Sequence, residues 1–383
     1  MIGKILSLFK DEYKTLNRIE ISKKNLLGNF AYLSNLNHKL KIAPVVKSNG
    51  YGHGILEVSK ALCYTSDAER RIPFLCVDSL FEAYQLLKAN IRMPILIMGF
   101  TDPRNLKVKK LSFSYAVYNL DLAKVLNDYQ PGCKVHIFVD TGMGREGITM
   151  EQLPQFLGEL KQLKNIKIEG LMSHLASSQD KHDKLFLHQI KNFKKAQSIL
   201  KKMDIKPKWL HIAASGSIVN PETRKIIAGV SNLVRAGRAL YGYPPTFSDI
   251  RLQPTLKFTT KLIQIKNINK YEKIGYNGTY TAKKNMLVGI LPLGYYDGVD
   301  RGLSNKGVVT IGGKICPIIG RVSMNLTAID LSKVKNPVAN QQVIVYSDKK
   351  ADKNSVENVA KICKKIPSEI LVNLAASTKR VVV

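Results

Sequence analysis

The chain has no apolar stretch approaching a membrane span, no CxxC pair, no internal repeat, no low-complexity block and little negative charge. The first absence excludes a transmembrane helix, which needs about 20 consecutive apolar residues. The five cysteines, Cys63, Cys76, Cys133, Cys316 and Cys363, are odd in number and widely spaced. Such spacing offers neither a disulfide framework nor a thiolate metal site, so no metal is expected, and it points to reduced thiols in a cytoplasmic setting. Acidic residues number 29 against 59 Lys and Arg, a formal charge of +30. An excess of that size could serve nucleic acid, an anionic membrane or an anionic small molecule. The lysines are scattered, however, with only doublets such as Lys109-Lys110, Lys201-Lys202 and Lys364-Lys365. With no basic tail or RNA-binding signature, the excess reads as a lysine-rich surface, and neither nucleic acid nor membrane is expected as a partner.

What is present is an ordinary globular composition, 45% hydrophobic over 383 residues. That length allows two domains, or one large α/β barrel with a smaller unit. Residues 1–16 read as an N-terminal extension; their apolar patch, Ile5 to Phe9, is too short for a signal-peptide core. From Arg18 onward, apolar runs alternate with amphipathic helical segments. Strands are expected at 42–47, 72–77, 93–98, 112–118, 134–140, 166–173, 209–213 and 232–236. Helices between them, such as 79–89, 121–129, 151–163 and 180–203, open on residues that include Ser79, Asp121 and Asp180, side chains that suit a cap. Continuous apolar strands in alternation with helices predict a (β/α)8 TIM-type barrel over 17–249, with a doubly wound open sheet as the alternative. After Pro244-Pro245 the helical period fades. Short alternating segments punctuated by Asn277-Gly278 and Gly312-Gly313 predict a mainly antiparallel β domain over 250–383, with one weak helix at 355–365.

Polar residues gather where a barrel would carry its chemistry, at the C-terminal ends of the strands. The run Pro44-Val45-Val46-Lys47-Ser48-Asn49-Gly50-Tyr51-Gly52-His53-Gly54 delivers a lysine onto a glycine-rich turn. Buried in a cleft, such an amine loses basicity and can form a Schiff base or act as a general base. Asp140-Thr141-Gly142-Met143-Gly144-Arg145 ends the fifth strand and Ser173-His174 the sixth. Ala214-Ser215-Gly216-Ser217 follows the seventh, and Arg235-Ala236-Gly237-Arg238 ends the eighth. Glycine and serine after the last strands are where barrels commonly hold phosphate. A lysine, a phosphate-type loop and arginines on one rim suggest a phosphorylated cofactor bearing an aldehyde, and pyridoxal phosphate fits.

These segments resemble the alanine racemase family from Arg18 to the C-terminus. The lysine run carries the resemblance most specifically. Asp140–Gly147, Ser173-His174, Val234–Gly242, Gly275–Thr281, Leu293–Gly298 and Gly320–Met324 add to it in order and spacing. The resemblance implies a two-base, pyridoxal 5'-phosphate-dependent racemase of L- and D-alanine that supplies D-alanine for peptidoglycan. It implies a homodimer with shared active sites. Lys47 would hold the cofactor and serve as one base; Tyr276, from the other subunit, would serve as the second. His174 and Arg235 resemble the network around that tyrosine, and Arg235 the arginine facing the pyridine nitrogen. Tyr51, Ser215, Gly237 and Arg238 would hold phosphate. Arg145 and the Met324 amide would meet the substrate carboxylate, and Tyr295 would narrow the entrance.

Departures from the family pattern are specific. Many members carry a carbamylated lysine where this chain has Phe138, so Arg145 lacks its usual anionic partner, and a bound anion or different packing must substitute. Asn325 stands where aspartate is usual, Ala214 where asparagine is common, and Ser368 where a tyrosine precedes the glutamate of the family's tail. A broader racemase acting on serine or larger residues remains open. A non-catalytic cofactor-binding barrel is opposed by the second domain with Tyr276. A decarboxylase of the same fold is opposed by Arg235, since such enzymes carry an acidic residue toward the pyridine nitrogen.

Overall fold

A computed structural model describes residues 15–64, 72–244 and 251–383. Most of the expected N-terminal extension, and the junction at 249/250, lie outside the described residues. Two compact units emerge among the described residues, one within 21–255 with 382–383, the other of 256–381 with 15–20.

In the first unit eight strands follow the expected order: β2 (Lys41–Pro44), β3 (Leu75–Val77), β4 (Ile95–Ile97), β5 (Ser114–Val117), β6 (Lys134–Phe138), β7 (Lys167–Met172), β8 (Trp209–His211) and β9 (Leu233–Ala236). Strands β3 to β8 form one parallel sheet, and β2 pairs with β9 in parallel. The two pieces join through a Val45–Cys76 bridge on one side. On the other, Asn232 N donates to Leu210 O at 3.0 Å and Arg235 N to Ala213 O at 3.2 Å. The barrel is therefore closed, and the open-sheet alternative is set aside. Closure leaves no exposed edge, and this is why these strands are apolar on both faces.

The helices form where the sequence supplies caps and a one-sided apolar stripe. The longest, Lys184–Lys202, starts on Asp183, whose carboxylate accepts from Phe186 N at 2.9 Å. Its buried residues Phe186, Ile190, Phe193 and Leu200 recur at helical spacing. Such a cap contributes about 1 kcal/mol. Ser79 caps Leu80–Lys88 in the same way, accepting from Glu82 N.

The second unit is mainly β. Its larger sheet has the order β16-β15-β18-β10-β1-β19, built from β16 (Lys314–Pro317), β15 (Val308–Ile311), β18 (Gln342–Tyr346), β10 (Leu256–Lys261), β1 (Arg18–Ile21) and β19 (Lys379–Val382). A three-stranded antiparallel sheet joins β11 (Gln264–Ile268), β14 (Met286–Leu291) and β17 (Thr327–Asp330). A short hairpin pairs β12 (Lys273–Ile274) with β13 (Tyr280–Thr281). The Gly312-Gly313 turn closes the β15–β16 hairpin with φ of 53° and 76°, the positive values that a two-residue turn of this kind demands. Strand β1 departs from expectation. It falls within the span 17–249 expected for the barrel, yet Arg18–Glu20 belongs to the β unit, where Ile19 is fully buried. Between β10 and β11, at Leu262 and Ile263, the chain passes from one sheet to the other.

Candidate active site

Strand β2 stops at Pro44, three residues before the lysine. Ser48, Asn49, Gly50 and Tyr51 then take φ of 55°, 53°, 60° and 52°, a left-handed turn. For a residue with a Cβ that conformation costs about 1–2 kcal/mol. The surroundings hold it in place. Ser48 N donates to Glu82 Oε1 at 2.6 Å, Gly50 N to Val46 O at 2.8 Å, and Ile55 N to Asn49 Oδ1 at 2.9 Å. Strain kept by several outside contacts marks a functional turn. It brings Lys47 into a cavity of about 460 Å³ at the C-terminal end of the barrel strands. The amine is not buried as expected: its side chain is 35% exposed, and Nζ pairs with Asp78 Oδ1 at 2.8 Å.

The same cavity is lined by Tyr51, Arg145, His174, Ser215, Arg235, Gly237 and Arg238, so eight sequence-selected residues, Lys47 included, converge on it. Tyr51, Ser215 and Gly237 form one cradle. Ser215 Oγ accepts from Gly237 N at 3.1 Å and from Ala239 N at 3.2 Å. A Cβ at Gly237 would meet Tyr51 Oη at 2.5 Å, so glycine is required for this approach. Burial pushes the Tyr51 phenol up, against the Lys47 and Arg238 charges that lower it, and it stays a neutral donor.

Arg235 is 4% exposed and its terminal nitrogens are fully engaged. Nη1 donates to His211 Nδ1 at 2.6 Å and His211 O at 3.0 Å; Nη2 donates to Ser173 O at 2.5 Å and His174 Nδ1 at 3.1 Å. Among the described residues no acceptor faces its Nε. Burial lowers Arg235 to about 10, which leaves it charged at neutral pH. His174 is pushed down to about 3 by burial and by the nearby Arg235 and Arg145 charges. It is therefore neutral. In the His174–Arg235 pair the charge resides on the guanidinium alone.

The loop carrying Arg145 is shaped by Asp140, whose carboxylate accepts from Gly142 N, Met143 N and Gly144 N at 2.9, 2.8 and 3.0 Å. Arg145 has an anionic partner after all. Glu146, the next residue, receives both Nε and Nη2, the latter at 2.7 Å. Phe138 is packed instead with Ala116, Met172, Met98 and Tyr118.

Tyr276, Tyr295 and Met324 lie in the β unit, 67%, 44% and 54% exposed. Their loops meet there. Tyr295 N donates to Ser323 O and Tyr296 N to Met324 O, each at 3.0 Å. A Cβ on Gly275 would lie 3.1 Å from Arg321 N, which brings the Tyr276 turn against the segment leading to Met324. Among the described residues the Met324 N–H has no acceptor.

Sequence reasoning missed Asp78, Glu82 and Glu146. Glu82 had a signal, the Ser79-x-x-Glu82 capping pattern. Its carboxylate reaches instead to Asp78 N at 2.8 Å and to Ser48 N, tying the lysine turn to the next rim segment. Nothing local marks Asp78 or Glu146.

The chosen residues fit a phosphorylated pyridine aldehyde: an amine, a glycine cradle beside a phenol and a hydroxyl, and a buried guanidinium with one N–H to spare. Comparison with known proteins identifies the family. Residues 21–245 match the alanine racemase N-terminal domain and 255–382 the alanine racemase C-terminal domain. The chain is 30% identical over 375 residues to alanine racemase 2 of Caldanaerobacter subterraneus subsp. tengcongensis, covering 95% of this chain and 94% of that one. It is 32% identical over 378 residues to the alanine racemase of Thermodesulfovibrio yellowstonii, covering 94% and 96%. Among solved structures, alanine racemase of Clostridium difficile 630 superposes with a TM-score of 0.87 at 27% identity, covering 97% of both chains. The Bacillus anthracis enzyme with bound L-Ala-P gives 0.86 at 28%, covering 97% and 96%. No helix among the described residues is long and apolar enough to cross a membrane.

Proposed function

The chain belongs to the alanine racemase family and is an amino-acid isomerase; from that premise we propose that it interconverts L- and D-alanine by two bases acting on opposite faces of Cα. The observation that carries this reading is the convergence of Lys47, the Tyr51–Ser215–Gly237 cradle and Arg235 on one cavity. Pyridoxal 5'-phosphate bound there would supply the electron sink that makes the α-proton removable. The Tyr51 hydroxyl, the Ser215 hydroxyl and the backbone at Gly237 and Arg238 would hold its phosphate. Lys47 would hold it through its amine, and that amine would exchange a proton with one face of the substrate Cα.

Arg235 donates hydrogen bonds but gives up no proton at neutral pH, so it would leave a ring nitrogen that it met unprotonated. That would weaken the sink and limit side reactions such as transamination. Arg145 binds the substrate carboxylate, held in place by Glu146. The second base is the partner subunit's Tyr276, with His174 as its hydrogen-bonding neighbour; Met324 contributes its amide and Tyr295 narrows the entrance from that same subunit. The exposure of these three and the uncommitted Met324 N–H support a homodimer with shared sites. D-alanine made in the cytoplasm for peptidoglycan is the role this activity serves.

The test is incubation with pyridoxal phosphate and L-alanine in D₂O, following optical activity and α-deuterium together. Loss of optical activity with deuterium incorporation is expected, and exchange with full retention of configuration would sink the two-base reading. Tyr276→Phe should abolish most turnover while keeping cofactor absorbance. A variant that instead loses cofactor would remove Tyr276 from the role of base.

A further inference from the structure

Behind Arg235 the barrel interior holds a polar string that the racemase reading does not use. His211 Nε2 and His136 Nδ1 are 2.8 Å apart, and both rings are fully buried. His136 Nε2 faces Glu169 Oε2 at 3.5 Å, longer than a formed hydrogen bond, and among the described residues it has no hydrogen-bond partner. Glu169 Oε1 pairs with Lys134 Nζ at 2.8 Å. That end opens into a cleft of about 500 Å³, lined by Lys41, Phe74, Lys134, Lys208 and Trp209 along with Glu169.

Two backbone features build the string. The β6–β7 register pairs Val135 with Ile168 and His136 with Gly170, so Glu169 is the extra residue of a β-bulge. Bulges re-aim side chains, and this one leaves the Glu169 side chain only 14% exposed. At Gly170 a Cβ would stand 2.1 Å from His136 Nδ1, so glycine leaves the space that the ring occupies.

Donor chemistry then fixes every proton. A guanidinium only donates, so His211 Nδ1 is a bare acceptor and carries its proton on Nε2. That proton goes to His136 Nδ1, which places the His136 proton on Nε2, facing the carboxylate. Burial and the Arg235 charge lower both imidazoles, which agrees with two neutral rings.

We propose that Glu169, through His136 and His211, is a positioning residue for Arg235: its carboxylate at the far end of the barrel pins both imidazole tautomers and so keeps His211 Nδ1 open to the guanidinium. Reversing the string would put a proton on His211 Nδ1 against Arg235 Nη1 and push the arginine out of place. The effect on turnover rests on the racemase reading; the tautomers do not.

The experiment is solid-state ¹⁵N NMR of histidine-labelled protein with pyridoxal phosphate, for the native chain, Glu169→Leu and Glu169→Gln. The native protein should show His136 and His211 as single neutral Nε2–H tautomers. Both variants should show a second, Nδ1–H population for the pair, with kcat reduced at least about tenfold and KM for alanine within about twofold. Glu169→Gln differs by one atom type, so it carries the test if Glu169→Leu fails to fold. Unchanged tautomers in Glu169→Gln overturn the proposal, and so does native kcat in a variant whose tautomers have moved. A native chain that racemises nothing would defeat the functional reading while leaving the tautomer result standing.

Discussion

Gly237→Ala tests the cofactor cradle most directly. The new methyl would lie 2.5 Å from Tyr51 Oη, 2.9 Å from Cζ and 3.2 Å from Cε2. Relief requires the phenol to retreat by close to 1 Å from ordinary contact. Tyr51 cannot do this freely, because its ring packs on Tyr241 at 5.2 Å between centroids, and Tyr241 is itself fully buried with its hydroxyl bound to Val45 O at 3.0 Å. Overpacking of this sort costs about 1–3 kcal/mol. Taken from folding stability, that lowers Tm by about 2–12 °C for a unit of this size. If the phenol swings away instead, the cradle loses one donor and its shape, and cofactor affinity falls by about 10- to 100-fold, or roughly 1.4–2.7 kcal/mol. Equilibrium dialysis against pyridoxal phosphate, with thermal melts of the protein alone, separates the two. The double variant Gly237→Ala/Tyr51→Phe removes the nearest clash, so it should regain part of the stability but not the affinity, with a coupling of about 0.5–3 kcal/mol. A single variant with native Tm and native affinity would refute the cradle.

Glu146→Gln should raise KM for alanine by about two- to fivefold with kcat little changed, since a partly exposed ion pair is worth at most about 1 kcal/mol. An unchanged or lower KM in steady-state kinetics would mean that Glu146 competes with substrate for Arg145 rather than holding it. Acid sensitivity should be traceable to Glu169. Burial raises its carboxyl, but contacts with His136 and Lys134 outweigh that and bring it from 4.5 to about 2. A folded value below the unfolded one means stabilisation present above pH 4.5 and lost as pH falls toward 2. In melts across that range the native chain should lose more Tm than Glu169→Gln, and parallel losses would refute the assignment.

The lysine turn, the glycines around it and the strand–helix alternation were legible because each is local. A glycine-rich turn, an apolar run and a capped amphipathic segment are written within a few residues. All eight barrel strands were found in this way, though most were drawn longer than the structure makes them, since apolar residues continue past the last ladder bond into the packed rim. The same locality explains the errors. Strand β1 was assigned to the wrong unit because four alternating residues look alike in any sheet; its neighbours β10 and β19 come from more than 200 residues away.

The sequence by itself determined the kind of site: an amine, a glycine and serine cradle, arginines and a histidine, each at a strand end that a barrel must bring to one rim. Only the tertiary structure decided how those groups are charged and held. Lys47 faces Asp78, Arg145 takes Glu146, His174 is neutral, and Arg235 rests on a string of imidazoles reaching Glu169. Protonation and orientation depend on burial and on partners brought from other strands, and neither is written in a residue's own neighbourhood. The lysine is legible from its turn; the carboxylate opposite it is known only once the barrel closes.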